Sequence, residues 1–279
     1  MVPGAPDPRQ VAATLDELFI DAGPGCRLRR EDLQKAAELA PLLAEVARAA
    51  THGSGRPGVL VDAAAGKSAV GLLAAELVLA ARRRAWRVVV LERDPARVEA
   101  CRQAAARRRH GEIPVEVCQG EVGDADLWPE EPDVVVALHA CGAASDDILA
   151  RAVAARARRL LLVPCCYGAA SGKVWRRRHR SPSPPPPGQQ LAERLAARWS
   201  VPSGLVGRRF AQAIIDAERT LRLEASGYHT EVVELFTPQT SPFNLLWRAR
   251  RVGEPGRMAE AAERRAALLG GAGREDLVP

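Results

Sequence analysis

Between residues 59 and 163 the chain alternates short, continuously apolar runs with longer segments whose apolar residues recur at helical spacing. Apolar runs without polar alternation are typical of strands buried on both faces, and the segments between them are long enough to form crossover helices. The pattern therefore predicts an α/β fold with a parallel sheet covered by helices on both sides. The predicted strands are 59–63, 87–91, 115–118, 133–138 and 160–163.

Two further strands are predicted near the end of the chain, at 230–236 and 245–250. The connection between them, around Pro238–Pro242, is too short for a parallel crossover, which needs roughly a dozen residues or more. We therefore expect a mostly parallel sheet of seven strands that ends in an antiparallel hairpin.

Helical spacing also occurs before the first strand, over Asp7–Ile20 and Arg29–Ala50. Pro41 is expected to kink the second of these helices or to split it. The predicted division of the chain is an N-terminal helical segment, 1–54, a central domain, 55–252, which includes a basic and Pro-rich loop at 173–188, and a polar C-terminal tail, 253–279.

Composition narrows the choice of protein class. The 279 residues are 47% hydrophobic and 27% charged, as in an ordinary globular domain. The net charge of +6 comes almost entirely from arginine with acids interspersed, so it does not by itself indicate a polyanionic partner. The six cysteines include no Cys-x-x-Cys pair, no secretory pattern opens the chain, and no apolar run reaches the roughly 18–20 residues of a membrane span. A cytoplasmic protein with reduced thiols and no membrane contact is expected.

A turn of small residues follows the first strand, between Asp62 and Lys67, and contains Ala64 and Gly66. Small residues let the backbone approach a ligand closely, and the first N–H groups of the next helix are free to bind it. Asp62 either accepts a hydrogen bond from a ligand amine or orders the turn. The pattern favours a ligand site, although helix–strand packing alone could require the same turn.

Acidic residues also follow the second and third strands. Glu92 ends the second strand, at the position where Rossmann-like folds bind ribose hydroxyls, and for that reason we prefer it to Asp94. In the loop after the third strand, Glu121 and Asp124 are both candidates to accept a hydrogen bond from the exocyclic amine of an adenine. Spacing does not choose between them.

Reactive side chains stand at the ends of the fourth and fifth strands. His139 and Cys141 end the fourth, and Pro164-Cys-Cys-Tyr167 ends the fifth. Because the carboxyl ends of neighbouring parallel strands meet at the ligand-binding edge of such a sheet, these side chains are expected to line one pocket, with His139 as the candidate base. Adjacent cysteines on a strand point to opposite faces, so no metal site is predicted.

Together these segments resemble one family of class I methyltransferases. Its fourth motif, Leu-His-x-Cys-Gly followed by Ser/Thr-Asp, is similar to Leu138–Gly142 with Ser145–Asp147, and its fifth motif is similar to Pro164–Tyr167. The family includes eukaryotic tRNA 2′-O-methyltransferases and methyltransferase-like proteins. The sequence departs from the family at Ala64 and Ser68, where glycines are usual.

The resemblance implies a Rossmann-like enzyme that uses S-adenosylmethionine as its cofactor, bound at the ends of the first four strands. The candidate cofactor-binding residues are Asp62, Ala64, Gly66, Glu92, Glu121, Asp124 and His139.

The methyl acceptor is inferred from the basic run Lys173–Arg180. Basic side chains around a tryptophan can contact a phosphate backbone and stack on a base, so RNA is the first hypothesis. A small molecule or a protein is the alternative acceptor. A third hypothesis, an NAD-linked or non-catalytic nucleotide binder, is disfavoured because no Gly-x-Gly-x-x-Gly occurs in the first turn. The candidate substrate-binding residues are Cys141, Tyr167, Trp175, Arg176, Arg177 and Arg178.

Overall fold

The structure, a computed structural model, describes residues 6–19, 30–51, 55–67, 69–167, 185–240 and 244–270. Its strands are β1 (Gly58–Ala63), β2 (Trp86–Glu92), β3 (Val115–Gln119), β4 (Val134–Cys141), β5 (Arg159–Cys166), β6 (Tyr228–Glu234) and β7 (Leu245–Arg251). They form one sheet in the order β3-β2-β1-β4-β5-β7-β6. The first five strands are parallel, and β7 is antiparallel to both β5 and β6. The predicted fold class and the antiparallel pair at its end are confirmed.

The helices are α1 (Pro8–Phe19), α2 (Arg30–Ala49), α3 (Ala69–Ala74), α4 (Pro95–Ala106), α5 (Ala143–Ala154), α6 (Pro187–Arg198), α7 (Leu205–Ala225) and α8 (Pro255–Gly270). Helix α2 continues through Pro41, so the proline does not split it. A π-helical turn, Ala75–Leu79, extends α3. After this turn the side chain of Arg82 donates to the carbonyl oxygen of Ala47 at 2.8 Å, a contact with α2.

Successive residues of each strand enter different apolar layers, because side chains alternate across a sheet. On β1, Leu60 packs in the layer formed with α1, α2 and α3, whereas Val61 packs in the layer formed with α5 and α7. The N-terminal helices therefore share a core with the sheet. At the other end of the chain, α8 packs on α7 and buries Ala261, within the segment predicted as a polar tail.

The order of the strands determines where a ligand can bind. The chain passes from β1 outward to β2 and β3, then returns to the opposite side of β1 for β4 and β5. Open α/β sheets bind ligands at such a reversal, in the crevice outside the carboxyl ends of the strands. Among the helices that the structure describes, none is long and apolar enough to cross a membrane.

Candidate active site

The turn after β1 begins with a buried carboxylate. Asp62 is 1% exposed, and its Oδ2 accepts a hydrogen bond from the backbone N–H of Gly71 at 2.8 Å. Gly71 lies in the first turn of α3, where N–H groups have no partner within the helix, so this contact orders the turn. Ala64 and Gly66 have positive φ angles of 55° and 62°. A Cβ atom on Gly66 would meet no atom within 4 Å, so the turn faces open space.

Glu92 connects this turn to the end of β2. Its Oε2 accepts a hydrogen bond from the N–H of Gly66 at 2.7 Å, and its Oε1 accepts one from the N–H of Asp94 at 3.0 Å. The side chain is buried, so these bonds are shielded from water. On the other side of the turn, the Cys101 thiol donates to the carbonyl oxygen of Gly66 at 3.4 Å. Burial, then the nearby carboxylates of Asp62 and Glu92, raises the pKa of Cys101 to about 12, so the thiol keeps its proton.

The two acids after β3 have different environments. Oδ2 of Asp124 accepts a hydrogen bond from the backbone N–H of Glu121 at 3.1 Å, so Asp124 orders its own turn. The Glu121 carboxylate is 62% exposed and lies 3.5 Å from the guanidinium group of Arg93. Such an exposed ion pair restrains a side chain weakly, and Glu121 is therefore the acid more available to a ligand.

His139 lies at an irregular point of β4. Its φ angle is 59°, and the pairing of β4 with β5 shifts register between Leu138 and Ala140. Its Nε2 lies 3.1 Å from Oε2 of Glu38, a buried residue of α2 that also pairs with Lys35 at 3.2 Å. Burial acts to raise the pKa of Glu38, but the hydrogen bond to His139 and the charge of Lys35 outweigh it, so the pKa is lowered. An ionised Glu38 can accept a hydrogen bond from Nε2–H of His139, and this contact orients the imidazole ring.

The end of β5 contacts β4 and helix α7. The thiol of Cys165 donates to the carbonyl oxygen of His139 at 3.3 Å. The buried Tyr167 hydroxyl donates to Oδ2 of Asp216 at 3.3 Å, and the guanidinium group of Arg219 lies 5.5 Å from the Tyr167 ring centre. Burial raises the pKa of Asp216 to about 7, although Arg219 and the Tyr167 hydroxyl act against it. Asp216 is thus a carboxyl group that titrates near neutral pH beside the end of β5.

The acid of the fourth motif has a buried cation as its partner. Asp146, in the first turn of α5, accepts hydrogen bonds from Arg219 at 2.6 and 3.4 Å and another from Arg222. Burial acts to raise the pKa of Asp146, but the two arginines outweigh it and the pKa is lowered. Ser145, immediately before it, donates to the carbonyl oxygen of Ala140 at 2.7 Å. The Ser-Asp pair therefore ties the end of β4 to α5 and α7.

The remaining predicted substrate residues are not covered by the structure. Trp175, Arg176, Arg177 and Arg178 lie outside the described residues, as does the side chain of Cys141. Among the described residues, no group of three or more His, Cys, Asp or Glu side chains is arranged to hold a metal ion.

A comparison with protein families identifies the class of enzyme. Residues 33–172 match the family described as "Methyltransferase domain", which is half of the chain. The chain belongs to this methyltransferase family. The sequence-based prediction of an S-adenosylmethionine-dependent methyltransferase is thereby confirmed, and the hypothesis of an NAD-linked or non-catalytic nucleotide binder is not retained. A search of curated proteins finds no match to the chain.

Solved structures of methyltransferases are similar to the chain at low sequence identity. Magnesium protoporphyrin IX methyltransferase (ChlM) from Synechocystis PCC 6803, with bound SAH, is 12% identical; the alignment covers 88% of this chain and 100% of that one, with a TM-score of 0.48. A SAM-dependent methyltransferase from Aquifex aeolicus is 15% identical over 88% of this chain and 99% of that one, with a TM-score of 0.40. Similarities of this size say nothing about the acceptor of this methyltransferase.

The residues of the methyltransferase fit its cofactor. The open space beside Gly66 leaves room for a ligand against the backbone of the turn. Each Glu92 oxygen has a second lone pair beyond its bond to a backbone N–H, so the carboxylate can still accept from ribose hydroxyls. Glu121 supplies a further exposed acceptor at the end of β3.

Two functional candidates were missing from the sequence-based prediction. Glu38 is 101 positions from its partner His139, and Asp216 is 49 positions from Tyr167. No local pattern links either pair. Helical spacing over Arg29–Ala50 predicted a helix with one buried face, and a carboxylate on such a face was the available signal for Glu38.

Proposed function

We propose that this methyltransferase transfers a methyl group from S-adenosylmethionine to RNA, at the ends of β4 and β5. The observation that carries the proposal is the order of features after β5: Tyr167 follows the strand and contacts Asp216, and the basic run Lys173–Arg180 begins six positions later in the sequence. Arginines and a tryptophan that follow β5 in the sequence suit a phosphate backbone and an unstacked base. The motif resemblance to tRNA 2′-O-methyltransferases supports the same acceptor class.

For the cofactor, we propose that residues at the ends of β1 to β4 hold S-adenosylmethionine within a methyltransferase domain of residues 55–252. Glu92 would accept from the ribose hydroxyls, and Glu121, rather than Asp124, from the adenine amine. The cofactor supplies the electrophilic methyl group. The backbone of Ala64 and Gly66 would contact the cofactor, while Asp62 keeps the turn in shape through Gly71 N–H.

We assign proton removal from the acceptor to His139. Methyl transfer to a hydroxyl oxygen or a ring nitrogen needs a lone pair on the acceptor, and a neutral imidazole can take the proton. A carboxylate bonded to one imidazole nitrogen orients the ring and stabilises the imidazolium that forms, and Glu38 makes this contact with Nε2. Glu38 is a positioning residue in this scheme.

The test is a transfer assay with methyl-labelled S-adenosylmethionine and separated RNA, protein and metabolite fractions. Label in the RNA fraction supports the proposal. Label only in the protein or metabolite fraction replaces RNA by the alternative acceptor and leaves the methyltransferase assignment intact.

A salt titration then examines the basic run. Replacing Arg176, Arg177 and Arg178 with alanine should flatten the log–log salt dependence of single-stranded RNA affinity by roughly 2 units, since each phosphate contact contributes about 0.7. Cofactor affinity should not change. A control that replaces three exposed arginines elsewhere should leave the slope unchanged; these are Arg83, Arg102 and Arg264. An unchanged slope in the first variant would exclude the run as the RNA contact.

A further inference from the structure

A cavity opens at the end of the sheet opposite the turn that follows β1. It has a volume of about 740 Å³ and lies where β1, β4 and β5 begin and β7 ends. We name it the basal cavity; it is lined by Ala49, Arg56, Glu131, Asp133, Arg158, Arg159, Arg250, Arg251, Val252 and Gly253. The eight residues of β5 separate it from the acceptor end by roughly 25 Å, at about 3.3 Å per residue. The basal cavity is thus remote from methyl transfer.

The two acids of the basal cavity are already engaged. Asp133 pairs with Arg84 at 3.0 Å and with Arg158 at 3.5 Å. Glu131 pairs with three other arginines, and the lining of five arginines and two carboxylates therefore keeps an excess of positive charge. The excess belongs to Arg159 and Arg250: the other three lining arginines pair with Glu131 or Asp133, whereas neither of these two forms an ion pair with any residue in the described part of the chain.

Arg159 and Arg250 lie directly opposite each other on the antiparallel strands β5 and β7. Directly opposed residues share one face of the sheet, and two like charges in this relation are destabilising. Burial, and then the charges of Arg250 and Arg158, lower the pKa of Arg159. Two opposed cations that form no ion pair in the described part of the chain provide a site that a bound anion would stabilise.

We propose that the basal cavity binds a phosphate group, held between Arg159 and Arg250. A guanidinium group binds two oxygens side by side, so one carboxylate satisfies one arginine. A phosphate has more acceptor oxygens and more charge, and it can therefore engage both arginines at once. The volume lies within the range of small-molecule pockets, so the rest of a phosphorylated ligand can also enter.

Calorimetric titration with inorganic pyrophosphate tests the site. The wild-type protein should bind it saturably, and its melting temperature should rise with pyrophosphate concentration, since a ligand of the folded state stabilises it. Arg159→Gln and Arg250→Gln should each weaken binding about tenfold, and the double variant about 100-fold, as expected for lost charge-assisted hydrogen bonds. Arg83→Gln with Arg102→Gln removes the same charge from exposed positions and should leave pyrophosphate affinity within about twofold of wild type.

Competition identifies the source of the phosphate. Displacement of pyrophosphate by single-stranded RNA, lost in the double glutamine variant, assigns the site to a nucleic-acid backbone. Absence of displacement assigns it to a free phosphorylated small molecule. Circular dichroism verifies that the variants fold. If the double variant does not fold, the single variants are used for the test. Equal binding of pyrophosphate to wild type and glutamine variants, or no binding to wild type, overturns the proposal.

Discussion

Replacing Glu92 with glutamine should weaken cofactor binding through the shape of the turn. The Glu92 carboxylate accepts the N–H of Gly66 at 2.7 Å and the N–H of Asp94 at 3.0 Å, and it is 4% exposed. Glutamine has one oxygen, so its NH₂ group must face one of these two donors. The hydrogen bond there is lost.

The size of the effect follows from that loss. A hydrogen bond to a charged group contributes about 1.5–3 kcal/mol. If the loss loosens only the turn at Gly66, the dissociation constant for S-adenosylhomocysteine should rise roughly 30-fold, since about 1.4 kcal/mol corresponds to a factor of ten. Glu92→Ala, which removes both acceptor oxygens, should weaken binding further.

Calorimetry with S-adenosylhomocysteine measures the affinity, and urea denaturation of the unliganded protein measures any loss of global stability. Glu116→Gln, an exposed acid on the neighbouring strand β3, is the control and should bind normally. If Glu92→Gln binds within twofold of wild type and is equally stable, Glu92 does not hold the turn. If stability falls and affinity does not, the contact supports the fold and not the cofactor site.

Three further predictions concern stability. Asp146→Ala leaves the buried Arg219 without its counter-charge and should lower the free energy of unfolding by about 3–5 kcal/mol in urea titrations. Asp216→Asn should remove one pH-dependent contribution to stability: because the folded pKa of about 7 exceeds the unfolded value, the contribution of Asp216 is largest below about pH 4 and falls, by up to roughly 4 kcal/mol, as the pH rises to about 7. Ala64→Gly should raise the free energy of unfolding by about 1 kcal/mol, because residue 64 has a φ of 55°.

Each of these has a matched control or a contrary outcome. Asp147→Ala changes an exposed acid next to Asp146 and should cost no more than about 0.5 kcal/mol; equal losses in both variants would refute the role of the buried pair. If Asp216→Asn leaves the pH dependence of stability unchanged, Asp216 does not titrate in this range. A destabilised Ala64→Gly variant would mean that chain entropy outweighs the strain at that residue.

Much of the fold was predictable because burial on both faces leaves a local mark. A strand of a parallel sheet has no polar face, so runs such as Val134–Leu138 stand out within a few residues. The acids at strand ends were predictable for a related reason. An acid directly after such a run must lie at the carboxyl end of that strand. The position of Glu92 follows from β2 alone, without knowledge of its partners.

The partners themselves could not be predicted, because they depend on packing between distant elements. Glu38 meets His139 only after α2 has packed on the sheet, and Asp146 meets Arg219 only after α7 has packed beside α5. Helical periodicity indicates which face of α2 or α7 is buried but not which residue of the sheet it contacts. The Ser-Asp motif was therefore visible in the sequence while its structural role was not.

The two ends of the parallel strands differ in how their charged side chains are paired. This difference predicts how ligand binding at each end responds to salt. At the carboxyl ends of the strands, Asp62, Glu92 and Asp124 each accept a hydrogen bond from a backbone N–H group. These turns are therefore ordered before a cofactor binds. At the opposite end of the strands, Arg159 and Arg250 lie opposite each other and form no ion pair with any residue that the structure describes. Salt screens attraction between exposed charges and affects buried hydrogen bonds little. Raising the ionic strength should therefore weaken pyrophosphate binding while leaving the affinity for S-adenosylhomocysteine nearly constant. If both affinities fall in parallel, the two ends of the strands do not respond to salt independently.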